Sequence, residues 1–460
     1  MRYNGDRVED LNIAYIGGGS REWAYKLMQD LALEAKLSGT VRLYDIDTAA
    51  AHDNELIGNL MTQRAAANGK WAYRTVTSME AAITGADFII ISILPGTFDE
   101  MDSDVHAPEK YGIYQSVGDT VGPGGLMRAL RTVPLYAEFA KQIAAYAPDA
   151  WVINYTNPMT QCTRTLYEVF PQIKAFGCCH EVFGTQELLA AMLKEVMGIE
   201  ATRDEIKVNV LGVNHFTWLD KARYQGIDLF PLYREFALKY LESGYEINGK
   251  AWDTDPFSFA HRVKFDLFLR FGIIAAAGDR HLAEFLPPWY LKDPETVKQW
   301  KFHLTTVDFR KKRRVGINEQ RQRLISGAEK LELKATGEEG VRQIKALLGL
   351  GDLVTNVNLP NRGQIAGLPL GAIVETNALL ASDSIRPLLA GKLPAAIQSM
   401  VARHAINQET INQAALTKDR ELAFRAFLNE PLLTLDPQPA RVLFDEMLAN
   451  TKAYLPGWEI

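Results

Sequence analysis

The sequence predicts an α/β protein, with a doubly wound parallel sheet over residues 1–200 and an α+β domain over residues 201–460. Three observations support this prediction. In the first part, short apolar runs alternate with amphipathic helical stretches, as they do where crossover helices join parallel strands. Three consecutive glycines follow the first apolar run. In the second part, hydrophobic residues begin to alternate with a period of two.

The predicted strands of the first part are short. Residues 12–16 (NIAYI) lead into the glycines, and residues 40–44 follow the first helical stretch. The continuous apolar run at 87–94 is expected of a strand buried on both faces of a parallel sheet. Further strands are predicted at 151–154 and 174–178, and helices at 126–148 and 182–197.

The second part is predicted to begin with an antiparallel hairpin. Residues 206–230 alternate with a period of two and contain a turn signal near Gly226. The basic run at 310–314 (RKKRR) is interpreted as a solvated surface or a contact between subunits, and the glycine-rich loop 118–125 as a soft segment. Helices are predicted at 230–245, 256–272, 317–333 and over most of 385–454.

Composition and charge exclude several classes of function. The 460 residues are 47% hydrophobic and 23% charged, as in ordinary globular proteins. A net charge of −6 argues against nucleic acid or an anionic membrane as the main partner. Three cysteines are too few for a disulfide framework, and the polar N-terminus does not resemble a signal peptide. We therefore expect a cytoplasmic protein.

The glycine run predicts a dinucleotide site. It lies between a strand and a helix, where a Rossmann-like domain binds a pyrophosphate through backbone N–H groups and a helix N-terminus. Glu22 occupies the place of the third glycine in the usual pattern. Asp45 ends the next strand, and a carboxylate there favours NAD over NADP. The predicted loop consists of Gly17, Gly18, Gly19 and Ser20.

Polar side chains follow another predicted strand. Asn154 and Asn157 stand at the carboxyl end of 151–154, where open α/β sheets bind ligands. They can hydrogen-bond sugar hydroxyls or the nicotinamide ribose, although an Asn-Pro pair also occurs in plain turns. Arg128 and Arg131 follow the glycine-rich loop and suit a carboxylate.

Two further groups contain metal-ligating or charged side chains. Cys179 and His180 end a predicted strand, and His215 lies on a strand of the second part. A thiolate with an imidazole suits a borderline or soft divalent metal, but this spacing is no local metal signature. Asp279 and its two successors, Arg280 and His281, form either a buried ion pair or a site.

Taken together, these segments resemble glycoside hydrolase family 4, an NAD- and metal-dependent family that departs from the two-carboxylate mechanism. Along its whole length the chain is most similar to the members that act on α-galacturonides. The matching segments are IGGGS at 16–20, LYDID at 43–47, DTVGPGG at 119–125, INYTNP at 153–158, GCCHE at 177–181, GVNHF at 212–216, GDRHLAEF at 278–285 and NVNLPNRGQIAGLP at 356–369.

The resemblance implies a fold and a metal site. The fold would be a Rossmann-like domain plus an α+β domain, as in lactate and malate dehydrogenases. Cys179 and His215 would hold Mn²⁺ or another divalent transition metal. The residue after the cysteine is His180, as in the branches that act on unphosphorylated sugars, whereas the 6-phosphosugar branch has Asp. The family forms dimers and tetramers, so a homodimer or homotetramer is expected.

The resemblance also implies a mechanism. NAD would oxidise C3 of the sugar, and a base would remove the acidified C2 proton. The C1–O bond would break by elimination, water would add, and the hydride would return. Asp279 takes the place of the base, which is Tyr in the phosphoglycosidase branch, and His180 is a candidate proton donor to the leaving oxygen. The expected substrate-binding residues are Asn157, His281, Arg131 and Arg280, with Arg362 as a further candidate for the C6 carboxylate.

Other functions remain compatible with the sequence. Within the family, the substrate could be an α-galactoside, an α-glucoside or an α-glucuronide. A 2-hydroxyacid dehydrogenase on the same fold would need no metal and would reduce NAD stoichiometrically. A non-catalytic NAD-binding sensor would keep the glycine loop, while its metal and base positions would be dispensable.

Overall fold

A ten-stranded mixed sheet forms the centre of the computed structural model, which describes residues 1–249 and 251–460. A smaller four-stranded sheet lies in the second half. The strands are β1 (Arg2–Asn4), β2 (Arg7–Ile16), β3 (Leu37–Tyr44), β4 (Lys70–Thr75), β5 (Phe88–Ile91), β6 (Trp151–Asn154), β7 (Lys174–Gly177), β8 (Ile206–Val213), β9 (Phe216–Tyr224), β10 (Ile227–Asp228), β11 (Ile274–Ala275), β12 (Leu353–Pro360), β13 (Ile373–Ala381) and β14 (Ser384–Pro387).

Helices cover both faces of the large sheet, and none that the structure describes is long and apolar enough to cross a bilayer. They are α1 (Trp23–Leu33), α2 (Thr48–Thr62), α3 (Met79–Ile83), α4 (Phe98–His106), α5 (Gly122–Tyr146), α6 (Met159–Val169), α7 (Glu181–Met197), α8 (Phe230–Tyr240), α9 (Arg262–Phe271), α10 (Asp279–Glu284), α11 (Pro294–Gln299), α12 (Val307–Ser326), α13 (Gly340–Leu347), α14 (Ala395–Thr417), α15 (Arg420–Leu428) and α16 (Pro437–Thr451).

The parallel part of the large sheet confirms the predicted doubly wound domain. Strands β2 to β7 pair in parallel in the order β4-β3-β2-β5-β6-β7, with the reversal between β2 and β5. On β5, Phe88 and Ile90 pack against α1 and α2, whereas Ile89 and Ile91 pack against α5 and α6. Burial on both faces explains why this strand has no polar alternation.

Three strands from the second half extend the same sheet. Strand β12 pairs antiparallel with β7 through Asn358 and Gly177, and β13 and β14 follow outward. The large sheet therefore crosses the predicted boundary at residue 200. The smaller sheet joins it where the Val210 N–H of β8 donates to Asn377 Oδ1 of β13 at 2.9 Å.

The predicted hairpin over 206–230 is present, but its main turn lies elsewhere. Strands β8 and β9 pair along their length and turn at Asn214 and His215. The signal at Gly226 instead separates β9 from the two-residue strand β10. His215 has a φ of 65°, so the turn holds its backbone in the left-handed region.

The glycine-rich loop predicted to be soft is helical in its second half, and the basic run at 310–314 is wholly helical. Residues 310–314 lie inside α12, and α5 already begins at Gly122. The basic side chains of α12 differ in exposure: Lys312 and Arg313 are exposed, whereas Arg310, Lys311 and Arg314 are half-buried.

Candidate active site at the carboxyl end of the sheet

The glycine loop folds tightly against the ends of three strands. A Cβ at Gly17, where φ is 87°, would lie 2.0 Å from the Ser92 carbonyl oxygen. The Gly17 and Gly18 N–H groups both donate to the Tyr44 carbonyl, and Ser20 N–H donates to the Gly17 carbonyl. The N-terminus of α1 follows directly at Trp23. The chain thus has the close-packed turn and open helix end that a pyrophosphate needs.

Asp45 connects this loop to the next strand. Its Oδ2 accepts the Gly19 N–H at 2.8 Å, and its Oδ1 accepts the Asp47 N–H at 2.9 Å. Ile46 beside it is 92% exposed, an apolar surface next to the predicted ribose position. The carboxylate therefore supports the loop and remains partly open on its outer side.

Asn154, a predicted cofactor contact, is completely buried and bonded within the protein. Its Oδ1 accepts the Tyr136 hydroxyl at 2.6 Å and the Thr156 N–H at 3.0 Å, and its Nδ2 donates to the Thr156 carbonyl at 3.1 Å. This side chain shapes the turn after β6. A direct contact with a cofactor stays a prediction.

Three side chains from distant parts of the chain form a cluster that could hold a metal ion. Asp119, His215 and His281 each offer one ligand atom, and these atoms lie within 4.8 Å of one another. They come from the loop before α5, the β8–β9 turn and the first turn of α10. Two imidazoles and a carboxylate suit a first-row divalent metal.

The electrostatics of the cluster favour neutral imidazoles. Burial lowers the pKa of His215, and the neighbouring His281 lowers it further, to about 3, although Asp119 and Glu181 act in the opposite direction. The Thr120 hydroxyl lies 2.9 Å from His215 Nδ1 and orients the ring. A neutral, oriented imidazole is the form that binds a metal ion.

The Asp119 carboxylate is held in its charged form. Burial raises its pKa, but the positive charge of Arg128, joined by the two histidines once they are protonated in acid, outweighs burial and leaves the pKa below its ordinary value. Asn157, a predicted substrate contact, donates from Nδ2 to Asp119 Oδ2 at 3.3 Å. Its carbonyl accepts from Arg128 Nε at 3.1 Å. Asn157 and Arg128 therefore lie beside the cluster.

Cys179 lies next to the cluster but outside the set of donors within 4.8 Å. Its carbonyl accepts from Asn356 Nδ2 at 3.2 Å, and its thiol interacts with Asn214, the residue before His215. Burial raises the pKa of the thiol well above its ordinary value, and the charges of Glu375 and Glu181 raise it further. A thiolate here requires a positive charge close by. The pairing of Cys179 with His215 on one metal stays a prediction.

His180 lies toward the mouth of the site, and Glu181 lies between it and the cluster. The His180 side chain is 46% exposed, and its ring packs against Trp23 at 5.6 Å. Glu181 has an oxygen 3.8 Å from both His180 Nε2 and His281 Nε2. Burial raises the pKa of Glu181, but these histidines outweigh burial and lower it to about 2. Glu181 closes the GCCHE segment, and no role for it is predicted from sequence.

Asp279, the predicted base, is fully buried at the start of α10. Its oxygens accept the backbone N–H groups of Val263 at 3.1 Å and Lys264 at 3.2 Å, at the start of α9. Burial raises its pKa to about 6, against the opposing charge of Lys264. The carboxylate therefore supports a helix N-terminus, and its role as a base stays a prediction.

Two of the three arginines predicted to meet a substrate carboxylate are bonded within the protein. Arg131 donates to both oxygens of Asp104, at 3.0 and 2.5 Å, and both side chains are buried. Arg280 donates from Nη2 to the Ser116 carbonyl at 2.9 Å and to the Thr305 hydroxyl at 2.5 Å. Arg362 is exposed in the turn after β12.

The residues that the sequence analysis missed share one property. Asp119 and Arg310 come from segments far apart in the chain, and only the fold brings them near each other. Asp119 was within a quoted motif but had no role. Arg310 belonged to a run interpreted as surface.

Comparison with known proteins agrees along the whole chain. Residues 12–195 match the model of the family 4 glycosyl hydrolases, and residues 210–433 match the model of their C-terminal domain. The α-galacturonidase of Thermoanaerobacterium saccharolyticum is 63% identical over 466 residues, with 100% of both chains covered.

Solved structures agree with the fold. The crystal structure of lplD from Bacillus subtilis is 56% identical and superposes with a TM-score of 0.92, covering 96% of this chain and 100% of that one. A 6-phospho-alpha-glucosidase from gut microorganisms, solved with NAD and Mn²⁺, superposes with a TM-score of 0.81 at 20% identity. It covers 98% of this chain and 100% of that chain, and at this identity it shows the fold alone.

Proposed function

Because the chain belongs to family 4 of the glycosyl hydrolases, we propose that the bond it hydrolyses is that of an α-D-galacturonide. The single observation that supports this substrate is the 63% identity to an α-galacturonidase over the full length of both chains. The absence of an acidic residue directly after Cys179 agrees with an unphosphorylated sugar. The α-galactosides, α-glucosides and α-glucuronides are the alternatives that the experiment below must exclude.

We infer that NAD⁺ and a divalent metal ion such as Mn²⁺ are the cofactors. When bound, NAD⁺ would accept and return a hydride, and the metal would polarise hydroxyl oxygens of the sugar as a Lewis acid. The glycine loop and Asp45 fit the dinucleotide, since no Cβ has room at Gly17. The neutral His215 and charged Asp119 fit a divalent cation, with His281 and Cys179 as its remaining candidate ligands.

Side chains of the protein itself would then carry out two proton transfers. We propose Asp279 as the base for the C2 proton, because a pKa of about 6 lets a carboxylate accept a proton near neutral pH. Each of its oxygens retains a lone pair beyond the bond to Val263 or Lys264. His180 would protonate the leaving oxygen at C1, because its ring is partly exposed and lies next to Glu181, which also contacts His281 of the cluster.

The test is hydrolysis of 4-nitrophenyl α-D-galacturonide in D₂O with NAD⁺, Mn²⁺ and a thiol reductant. Nitrophenol release that needs both NAD⁺ and metal, with deuterium at C2 of the product, is the expected result. Reactions without NAD⁺ and reactions with EDTA are the controls. Turnover of only a galactoside, glucoside or glucuronide would overturn the substrate. Accumulation of NADH with a hydroxy acid and no hydrolysis would favour a dehydrogenase.

A further inference from the structure

Three guanidinium groups surround one aromatic ring near the cluster of Asp119, His215 and His281. The ring is that of Phe257, and the guanidinium carbons of Arg280, Arg310 and Arg313 lie 5.2, 5.5 and 5.2 Å from its centroid. Phe257 also packs against Phe309 of α12 at 5.8 Å. Such a ring holds guanidinium planes in place and leaves their N–H edges free to bind.

Two of the three guanidinium groups already have partners. Arg280 donates to Ser116 and Thr305, and Arg313 pairs with Glu22 at 2.6 Å. Arg310 differs in that its side chain donates to no residue in 1–249 or 251–460, and its Nε, like that of Arg280, is buried without an acceptor. A buried donor without a partner is costly, so its presence indicates a ligand that supplies the acceptor.

Charges of the candidate active site act on Arg310. The charges that act on Arg310 most strongly are those of Asp119 and Arg128, followed by Glu284. Asp119 is one of the three cluster residues, and Arg128 bonds the Asn157 carbonyl beside it. Arg310 also shares the Phe257 ring with Arg280, the residue before His281 of the cluster, so it lies on α12 beside the candidate active site.

The start of α12 holds this arginine in place. The Thr306 hydroxyl accepts the Phe309 N–H at 3.3 Å and caps the helix. The Val307 N–H donates to His106 Nε2 at 3.2 Å, and the Val307 side chain is fully buried. Arg310 follows one turn later, so its backbone position is fixed by the cap and by the buried valine.

We infer that Arg310 binds the C6 carboxylate of the substrate and sets the preference for a uronide over a neutral sugar. This inference rests on the proposed function, which supplies a substrate with a carboxylate. A guanidinium can bind both oxygens of a carboxylate in parallel, and a stacked, preorganised one loses little freedom in doing so. Of the candidates from sequence, Arg131 already donates to both oxygens of Asp104, and Arg280 donates from Nη2 to Ser116 and Thr305.

The experiment compares ligands that differ only at C6. Dissociation constants for D-galacturonate, its methyl ester and D-galactose are measured by calorimetry on the enzyme loaded with NAD⁺ and Mn²⁺. In Arg310→Gln we expect binding of galacturonate to weaken roughly 10- to 100-fold, while the ester and galactose change little. Arg310→Lys keeps the charge without the paired donors and should lie between Arg310→Gln and wild type.

The matched control is Lys312→Gln, which removes a charge from an exposed position of the same helix. It should bind all three ligands as the wild type does. Unchanged galacturonate binding in Arg310→Gln would overturn the inference, and so would an equal loss for all three ligands, which indicates a structural role. A wild-type enzyme that does not prefer galacturonate to its ester overturns the proposed substrate instead, before any variant is made.

Discussion

The imidazole rings of His215 and His281 stack with their centroids 3.7 Å apart and their planes 31° from parallel. Two positive rings at this distance would repel each other, and burial lowers the pKa of both. Both rings are therefore neutral near pH 7, with Asp119 as the charged member of the cluster. Such a set is ready to bind a dication without first losing protons.

The first prediction concerns His281 as a metal ligand. His281→Gln should weaken Mn²⁺ binding by at least about 100-fold, since loss of even an outer partner of a metal site costs 10- to 100-fold. Free Mn²⁺ is measured by electron paramagnetic resonance during a titration. His52→Gln, at an exposed histidine on α2, is the control. Equal affinity in the two variants would remove His281 from the site.

The second prediction concerns Cys179. We expect the Co²⁺-loaded protein to show near-ultraviolet absorption from a metal-bound thiolate, and Cys179→Ser to lose this absorption together with hydrolytic activity. NAD⁺ should still bind to this variant, because the glycine loop lies on different strands. In His281→Gln the absorption should persist. A wild-type spectrum without the thiolate band would leave Asp119, His215 and His281 as the ligand set.

The third prediction concerns Asp45. Asp45→Asn should raise the dissociation constant of NADH about 10-fold, because an amide is a weaker acceptor for a ribose diol and for the Gly19 N–H. The affinity for NADPH should fall less, since the variant lacks the negative charge that repels the 2′-phosphate. Fluorescence titration of both nucleotides measures the difference. Asp53→Asn on α2 is the control. Equal losses of affinity for NADH and NADPH in Asp45→Asn would contradict a contact between Asp45 and the ribose.

The fourth prediction tests whether Arg131 stabilises the fold or binds the substrate. Arg131→Met should lower the free energy of unfolding by about 3–5 kcal/mol, because the buried carboxylate of Asp104 loses its counter-ion. The double variant with Asp104→Leu should recover much of this loss. Urea unfolding followed by circular dichroism measures both. A stable Arg131→Met enzyme with a selective loss of galacturonate binding would restore Arg131 to the substrate site.

The sequence was sufficient for the parallel sheet because its strands follow simple patterns. Strand β6 has the predicted bounds, and the apolar run of β5 identified a strand with two buried faces. The glycine loop was equally clear, since a strand, three glycines and a helix follow one another directly. These features depend only on residues that are close together in the sequence.

The extension of the sheet by β12 and β13 was not predicted, because buried polar residues interrupt the hydrophobic pattern by which a strand is identified. Asn356 and Asn358 are buried on β12, where they bond Glu375 of β13 and the sulfur of Met159. A buried polar network breaks the alternation of apolar and polar residues that identifies a strand. The environment of Arg310 was hidden for a different reason, because the ring it contacts belongs to Phe257, far away in the sequence.

The fifth prediction concerns His404, which lies on α14. It is 2% exposed, and its Nε2 lies 2.6 Å from the Phe285 carbonyl, to which it donates. Burial lowers its pKa to about 4, although the bond to Phe285 acts in the opposite direction. Between pH 6.5 and 4 the unfolded chain therefore binds more protons here than the folded protein, so stability falls as the pH falls through this window. The effect of this one histidine amounts to about 3 kcal/mol.

His404→Gln removes the titrating group and keeps a donor for the Phe285 carbonyl. Its free energy of unfolding should therefore fall less than that of the wild type between pH 6.5 and 4, whatever the absolute stability of the variant at pH 7. Urea unfolding at a series of pH values gives the two slopes, and His52→Gln, where the histidine is exposed, should follow the wild type. Parallel slopes for His404→Gln and the wild type would mean that the folded protein accepts a proton on His404 as readily as the unfolded chain does. Burial against Phe285 would then not control the acid stability of this helix.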